Sequence, residues 1–124
     1  MLKILKDDYE TKVRVVLFST NEGEEAGRFT LEIPDFRQKN PRLSVWSLQI
    51  FEQFRGRKLC NQMMVEAVEM MRKEFPRCNS AYLTVRTNNI PAIKAYEFAG
   101  FRITNTDDDN WKHLMEIILQ ERKE

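Results

Sequence analysis

The 124-residue chain contains a single histidine, His113, and two cysteines, Cys60 and Cys78. That set cannot build a four-cysteine, a two-cysteine-two-histidine or a three-histidine zinc site within one chain, so no metal is expected. One histidine leaves one candidate base for a Ser-His or Cys-His pair, and no G-x-S-x-G elbow accompanies it. His113 therefore reads as a strand or surface residue. Glycine is equally sparse: of Gly23, Gly27, Gly56 and Gly100, no three fit G-x-G-x-x-G and none precedes Lys-Ser or Lys-Thr, so dinucleotide and Walker-type nucleotide signatures are missing.

Long apolar runs are lacking too; none approaches the roughly 18 residues of a membrane-spanning helix. Met1 to Glu10 carries Asp7, Asp8 and Glu10, where a signal peptide would need an apolar stretch. Nor does one sign of charge dominate. Twenty Lys and Arg stand against 19 Asp and Glu, a net charge of +1, which provides no global field for nucleic acid; any anion site must be local. The expectation is a cytoplasmic or otherwise intracellular protein without membrane or nucleic-acid partners. A composition of 42% hydrophobic and 31% charged residues suits one core, hence one domain over residues 1–124.

The N-terminal third reads as β structure. Leu2 to Leu5 forms a short strand and Lys12 to Ser19 a longer one rich in β-branched residues. Asn21 to Gly27 is a polar turn. Arg28 to Ile33 alternates Phe29, Leu31 and Ile33 against Arg28, Thr30 and Glu32, the period of a half-buried strand. After a loop bounded by Pro34 and Pro41, Leu43 to Ile50 alternates again. From Lys58 the period becomes helical: Leu59, Met63, Ala67, Met71 and Phe75, with Met64 and Val68 beside them, form a stripe ending before Pro76. A methionine stripe at this spacing is assigned to packing. Ala81 to Val85 is a strand, and a helix of about nine residues runs from Asn88–Pro91 to a stop at Gly100. Phe101 to Ile103 and His113 to Leu119 are the last strands, around an acidic loop, Thr104 to Asn110. The fold class is α/β: antiparallel N-terminal strands, then strand-helix-strand-helix-strand-strand, with a right-handed crossover.

Two segments carry chemistry. Phe51 to Cys60 joins a strand directly to the long helix through a turn with one glycine. Such a turn exposes backbone N–H groups at the positive end of a helix dipole, and Arg55, Arg57 and Lys58 add full charges. The turn reads either as an anion site or as a solvated basic loop. The second segment, Asn89 to Phe101, sets Ala92 and Tyr96 four apart on one helix face behind the cap candidate Asn89. Alone, that is an amphipathic helix with a core tyrosine.

Together, in this order and separation, the segments resemble the GNAT superfamily of acyl-CoA-dependent N-acetyltransferases. Gln53-Phe54-Arg55-Gly56-Arg57 is similar to the family's Q/R-x-x-G-x-G/A pyrophosphate loop up to its last position, where Lys58 replaces Gly or Ala. Asn89, Ala92, Tyr96, Gly100 and Phe101 match N-x-x-A-x-x-x-Y-x-x-x-G-F in full. The resemblance runs from Leu43 to Leu119. It implies acetyl-CoA as co-substrate, held by Gln53, Phe54, Arg55, Gly56, Arg57, Lys58, Leu59 and Cys60 at the diphosphate and by Leu48, Gln49 and Ile50 along the pantetheine. Asn89, Ala92 and Tyr96 would complete the co-substrate site, with Tyr96 beside the sulfur. It also implies Tyr96 as the catalytic acid for the departing thiolate.

The acceptor implied is a primary amine: a protein lysine or N-terminus, a polyamine or another small amine. Glu52, Glu32 or a water relay would accept its proton. Asp107, Asp108 and Asp109 read as a solvated loop or as an attraction for a cationic acceptor. The family usually places two helices between its first two strands, whereas Asp7 to Glu10 leaves room for one turn at most. A homodimer would cover the apolar edges thus exposed. The alternative function is a GNAT-like CoA-binding or interaction module without acceptor chemistry.

Overall fold

The computed structural model describes residues 1–120; of the domain expected over 1–124, residues 121–124 lie outside the described ones. Seven strands form one sheet: β1 (Leu2–Asp8), β2 (Val13–Ser19), β3 (Glu25–Glu32), β4 (Arg42–Ile50), β5 (Ser80–Arg86), β6 (Arg102–Asp107) and β7 (Lys112–Ile118). Two helices, α1 (Leu59–Glu74) and α2 (Ile90–Ala99), follow β4 and β5. The strand order is β1-β2-β3-β4-β5-β7-β6, and only the β4–β5 pairing is parallel.

Alternation assigns the two faces. Phe29, Leu31, Leu43, Val45, Ala81, Leu83 and Met115 are buried in one cluster with Met63, Met64, Ala67, Val68 and Met71 of α1 and Ile93 of α2. Both helices thus cover the same face, and the methionine stripe is core. Arg28, Thr30, Trp46, Thr84 and Leu114 occupy the alternate positions, on the face that no helix covers among the described residues.

Three strands extend well beyond their sequence patterns, and β3 does so by starting at Glu25, inside the polar turn expected over Asn21 to Gly27, where Glu25 pairs with Ser19. β1 continues past Leu5 to Asp8 because a bulge between Ile4 and Lys6 resets its pairing with β2, after which Asp7 meets Arg14 in a 2.9 Å ion pair. β6 takes in much of the expected acidic loop and leaves a four-residue turn, 108–111. Every residue of β6 is exposed, so no apolar alternation marks it. The β1–β2 connection is a tight turn, and no helix intervenes.

Candidate functional site

The cleft originates in one extra residue. Thr30 pairs with Trp46 and Arg28 with Gln49, so two steps along β3 correspond to three along β4, a β-bulge. Ser47 absorbs it at φ +53°. Parallel pairing of β4 with β5 covers only Arg42–Ser44 against Ser80–Tyr82, and beyond it the strands splay. Gln49 and Ile50 keep β3 on one edge, and Leu48 to Ile50 meet no strand on the other among the described residues, so backbone groups there, apart from the Ile50 carbonyl that Arg55 Nε reaches, can pair with a ligand. Behind them Gly27 permits the close approach: a Cβ there would lie 2.5 Å from the Gln49 carbonyl oxygen and 3.0 Å from Ile50 Cδ1.

The turn at the mouth of the splay is pinned at three points. Phe51 N–H donates to the Ala26 carbonyl at 2.7 Å, Phe54 is buried, and Arg55 Nε donates to the Ile50 carbonyl at 3.1 Å. Gly56 has φ +82°, with open space where a Cβ would stand. Lys58 is not in the first helical turn as its position suggests; it is the N-cap of α1, in the left-handed region at φ +57°. The Gly that the family loop carries there would adopt this conformation without strain.

No side chain caps α1 and no acidic residue stands in its first turn. A 16-residue helix thus presents its orphan N–H groups and positive dipole end uncompensated, beside Arg55 and Lys58, which suits an anion.

The opposite wall is α2. Asn89 Oδ1 accepts the Ala92 N–H at 3.3 Å, Pro91 occupies the first turn, and Gly100 closes the helix at φ +114°. This capping explains two of the five motif residues, Asn89 and Gly100, in backbone terms. Tyr96 is 7% exposed. No hydrogen bond reaches its hydroxyl from the described residues, yet none of their buried side-chain polar atoms lacks a partner, so the hydroxyl oxygen opens to the cleft. Burial, with a smaller contribution from neighbouring Cys60, raises its pKa above the ordinary phenol value. The group is thus a proton donor at neutral pH.

The cleft has a volume of about 620 Å³ and brings together Leu48, Gln49, Ile50, Phe54, Arg55, Gly56, Lys58, Leu59, Cys60, Asn89, Ala92 and Tyr96. Two expected residues are outside its lining. Arg57 lies with its guanidinium 5.3 Å from the Phe54 ring centroid, and Gln53 sits in the short 3-10 turn Glu52–Phe54. Asn61, Met63, Pro91 and Ala95 join the lining unforeseen; counting i+3 from Lys58 and from Ala92 would have indicated Asn61 and Ala95.

Neither candidate base lines the cleft. Glu32 pairs with Ser44, five residues and about 16 Å along β4 from Gln49, while Glu52 is exposed at the start of its turn. Asp107 is engaged locally: Asn110 Nδ2 donates to it at 2.7 Å and holds its carboxyl below the usual range. Asp108 and Asp109 stand in the exposed turn. Among the described residues no group of His, Cys, Asp and Glu could hold a metal, and no helix is long and apolar enough to cross a membrane.

Known proteins repeat this architecture. The spermine/spermidine N(1)-acetyltransferase of Bacillus subtilis (strain 168) is 29% identical over 84 residues, and the probable spermine N(1)-acetyltransferase of Bacillus subtilis subsp. natto is 27% identical over the same length. Each match covers 66% of this chain but 55% of the relative, so the chain spans about half the length of the curated relatives it matches. The spermidine N-acetyltransferase from Vibrio cholerae, solved with CoA and spermine, superposes with a TM-score of 0.72 at 16% identity, covering 90% of this chain and 68% of that one. The aminoglycoside acetyltransferase AAC(6')-Ib, solved with coenzyme A, gives 0.71 at 18%, covering 87% and 67%. At such identities the likeness is one of fold.

The acetyltransferase (GNAT) family model matches residues 4–101. The match begins well before the expected Leu43, and so takes in the N-terminal hairpins as well as both motif segments. The splayed strands, the uncapped helix and this match lead to one conclusion: the chain belongs to the acetyltransferase (GNAT) family.

Proposed function

We propose that the chain moves an acetyl group from acetyl-CoA to an amine. The observation that carries this reading is the splay of β4 from β5, which leads from an uncapped, cation-flanked helix N-terminus to the Tyr96 hydroxyl. Amides of the first turn of α1, with Arg55 and Lys58, bind the diphosphate, each charge-assisted hydrogen bond contributing about 1.5–3 kcal/mol. The unpaired edge of Leu48 to Ile50 orients the pantetheine and stabilises the oxyanion that forms as the amine attacks the thioester carbonyl carbon. Tyr96 then gives its proton to the sulfur as the C–S bond breaks. The proton lost by the amine leaves through water, since no carboxylate lines the cleft among the described residues.

The acceptor belongs to the amines as a class: a protein lysine or N-terminus, a polyamine or another small amine. The whole domain, residues 1–124, works as one unit in this reading. Two free thiols, Cys60 and Cys78, suit an intracellular, reducing setting. A homodimer is supported by Ile4 and Leu5, both exposed on the edge strand β1, and light scattering at assay concentration reads it directly.

The absence of a cleft carboxylate favours a second reading, a CoA-binding module without acceptor chemistry. Thiol release from acetyl-CoA across a panel of amines separates the two. Turnover that falls roughly 10²-fold in Tyr96→Phe supports catalysis with Tyr96 as acid. Binding without thiol release from any amine supports the module.

A further inference from the structure

Beyond Ser44 the β4–β5 pairing ends, so the cleft under the helices adjoins the sheet face that no helix covers among the described residues, and the charges on that face differ from what a polycation would need. Arg28 pairs with Gln49, a cleft residue, and alternates with the core-facing Gly27 and Phe29, so it projects from the open face. Arg86 ends β5 on the same face, one residue after core-facing Val85. The two guanidinium groups therefore flank the splay from either side, with strands β3 and β5 two spacings apart, on the order of 10 Å before the splay widens.

Both are exposed, and neither makes an ion pair or a side-chain hydrogen bond among the described residues. The open-face acids near them are bonded elsewhere or distant: Asp107, in one row with Lys112 and Arg86, is held by Asn110. Glu116 is paired with Arg42, and Glu32 is four residues along β3 from Arg28, about 13 Å. Asp108 and Asp109 stand in the outer β6–β7 turn without an ion pair to either arginine. On β4, the strand between them, Trp46 stands opposite Thr30 and is 50% exposed, an apolar platform beside the arginines that no helix covers among the described residues.

We propose that Arg28 and Arg86 set acceptor specificity, and that the acceptor is an amine within an acidic polypeptide segment, a lysine or N-terminus flanked by Asp or Glu. This rests on the acetyltransferase reading and names its substrate class. Unpaired guanidinium groups recognise carboxylates in bidentate fashion and repel a polycation. The unroofed sheet face favours an extended chain over a small molecule, which gains most of its affinity from enclosure.

The experiment compares three acceptors with the full chain and acetyl-CoA: a peptide with one lysine between aspartates, the same peptide with arginines in their place, and spermine. The expected kcat/KM for the acidic peptide exceeds the other two by tenfold or more at low salt. The gap should narrow as salt screens it, and the double variant Arg28→Glu/Arg86→Glu should reverse it while leaving acetyl-CoA affinity unchanged. Preference for spermine or the basic peptide, or an unchanged preference in the double variant, overturns the proposal. So does a free acidic amino acid serving as well as the acidic peptide. A loss of acetyl-CoA affinity in the double variant would reassign the arginines to the co-substrate, also against the proposal. If acetyl-CoA binds and no amine is acetylated, the acetyltransferase reading fails on its own. Fluorescence anisotropy of the labelled acidic peptide then still reads the surface: binding lost in the double variant supports it, and no binding to the parent chain removes it.

Discussion

Phe101 donates its backbone N–H to the Tyr96 carbonyl at 3.0 Å, and its ring meets the Tyr96 ring edge-on, centroid to centroid 6.4 Å. The fully buried Phe101 therefore sets the lateral position of the phenol from inside the core. Phe101→Leu should cost on the order of 1–2 kcal/mol of stability. It should lower kcat several-fold with little change in KM for acetyl-CoA, because the hydroxyl loses its alignment and the diphosphate site does not. A kcat equal to that of the parent would separate Phe101 from catalysis.

Lys58 combines a left-handed backbone with a charge at the helix start, and two variants separate these. Lys58→Gly should relieve about 1 kcal/mol of strain and raise the melting temperature by about 4 °C, while acetyl-CoA binding weakens and becomes less salt-sensitive. Lys58→Ala should lose the same affinity without the gain in stability. Tighter binding in either variant would show that the lysine obstructs the ligand.

Gly27 and Gly56 make opposite predictions under the same substitution. Gly27→Ala drives a methyl into the Gln49 carbonyl oxygen at 2.5 Å, and because that atom is backbone, β4 must move. Loss of about 1–3 kcal/mol should appear in the denaturation midpoint, together with weaker acetyl-CoA binding. Gly56→Ala meets no atom within 4 Å, so only the left-handed penalty of about 1 kcal/mol remains. Equal effects of the two would contradict the packing described behind the splay.

The chain's capping chemistry was legible because each signal is a residue type with one strong backbone preference. Asn89, Pro91 and Gly100 marked α2 to within a residue, and the apolar stripe marked the buried face of α1. The source of the cleft was not legible. Ser47 and Lys58 hold left-handed conformations that neither residue type signals, and the splay arises from a mismatch in pairing between β3 and β4 that lies in no single segment. β6 was read only over Phe101 to Ile103 for a different reason: an edge strand exposed on both faces has no alternation to carry it on to Asp107. Of the residues in the loop pattern, Phe54, Arg55, Gly56 and Lys58 line the cleft, whereas Gln53 and Arg57 are outside its lining, a distinction that spacing alone does not carry.

Burial also gives Tyr96 a pH signature. Its folded-state pKa is raised by desolvation first and by Cys60 second, above an unfolded value of about 10. The stabilisation is fully present below pH ~10 and is lost as pH climbs toward the folded value, because the unfolded chain ionises first. The near-ultraviolet difference between parent and Tyr96→Phe should show no phenolate from this position at pH ~10. Half-ionisation there would place the ring in solvent.

In the proposed reading, the gap between β4 and β5, closed at its mouth by the Phe51–Lys58 turn, holds acetyl-CoA. Isothermal titration of acetyl-CoA into the parent chain and into Gly56→Glu tests it most directly, since residue 56 faces open space where a carboxylate would meet the diphosphate. Saturable one-site binding to the parent is expected, weakened tenfold or more in the variant, about 1.4 kcal/mol. Equal affinity in a folded Gly56→Glu protein, or no binding to the parent chain, would contradict it.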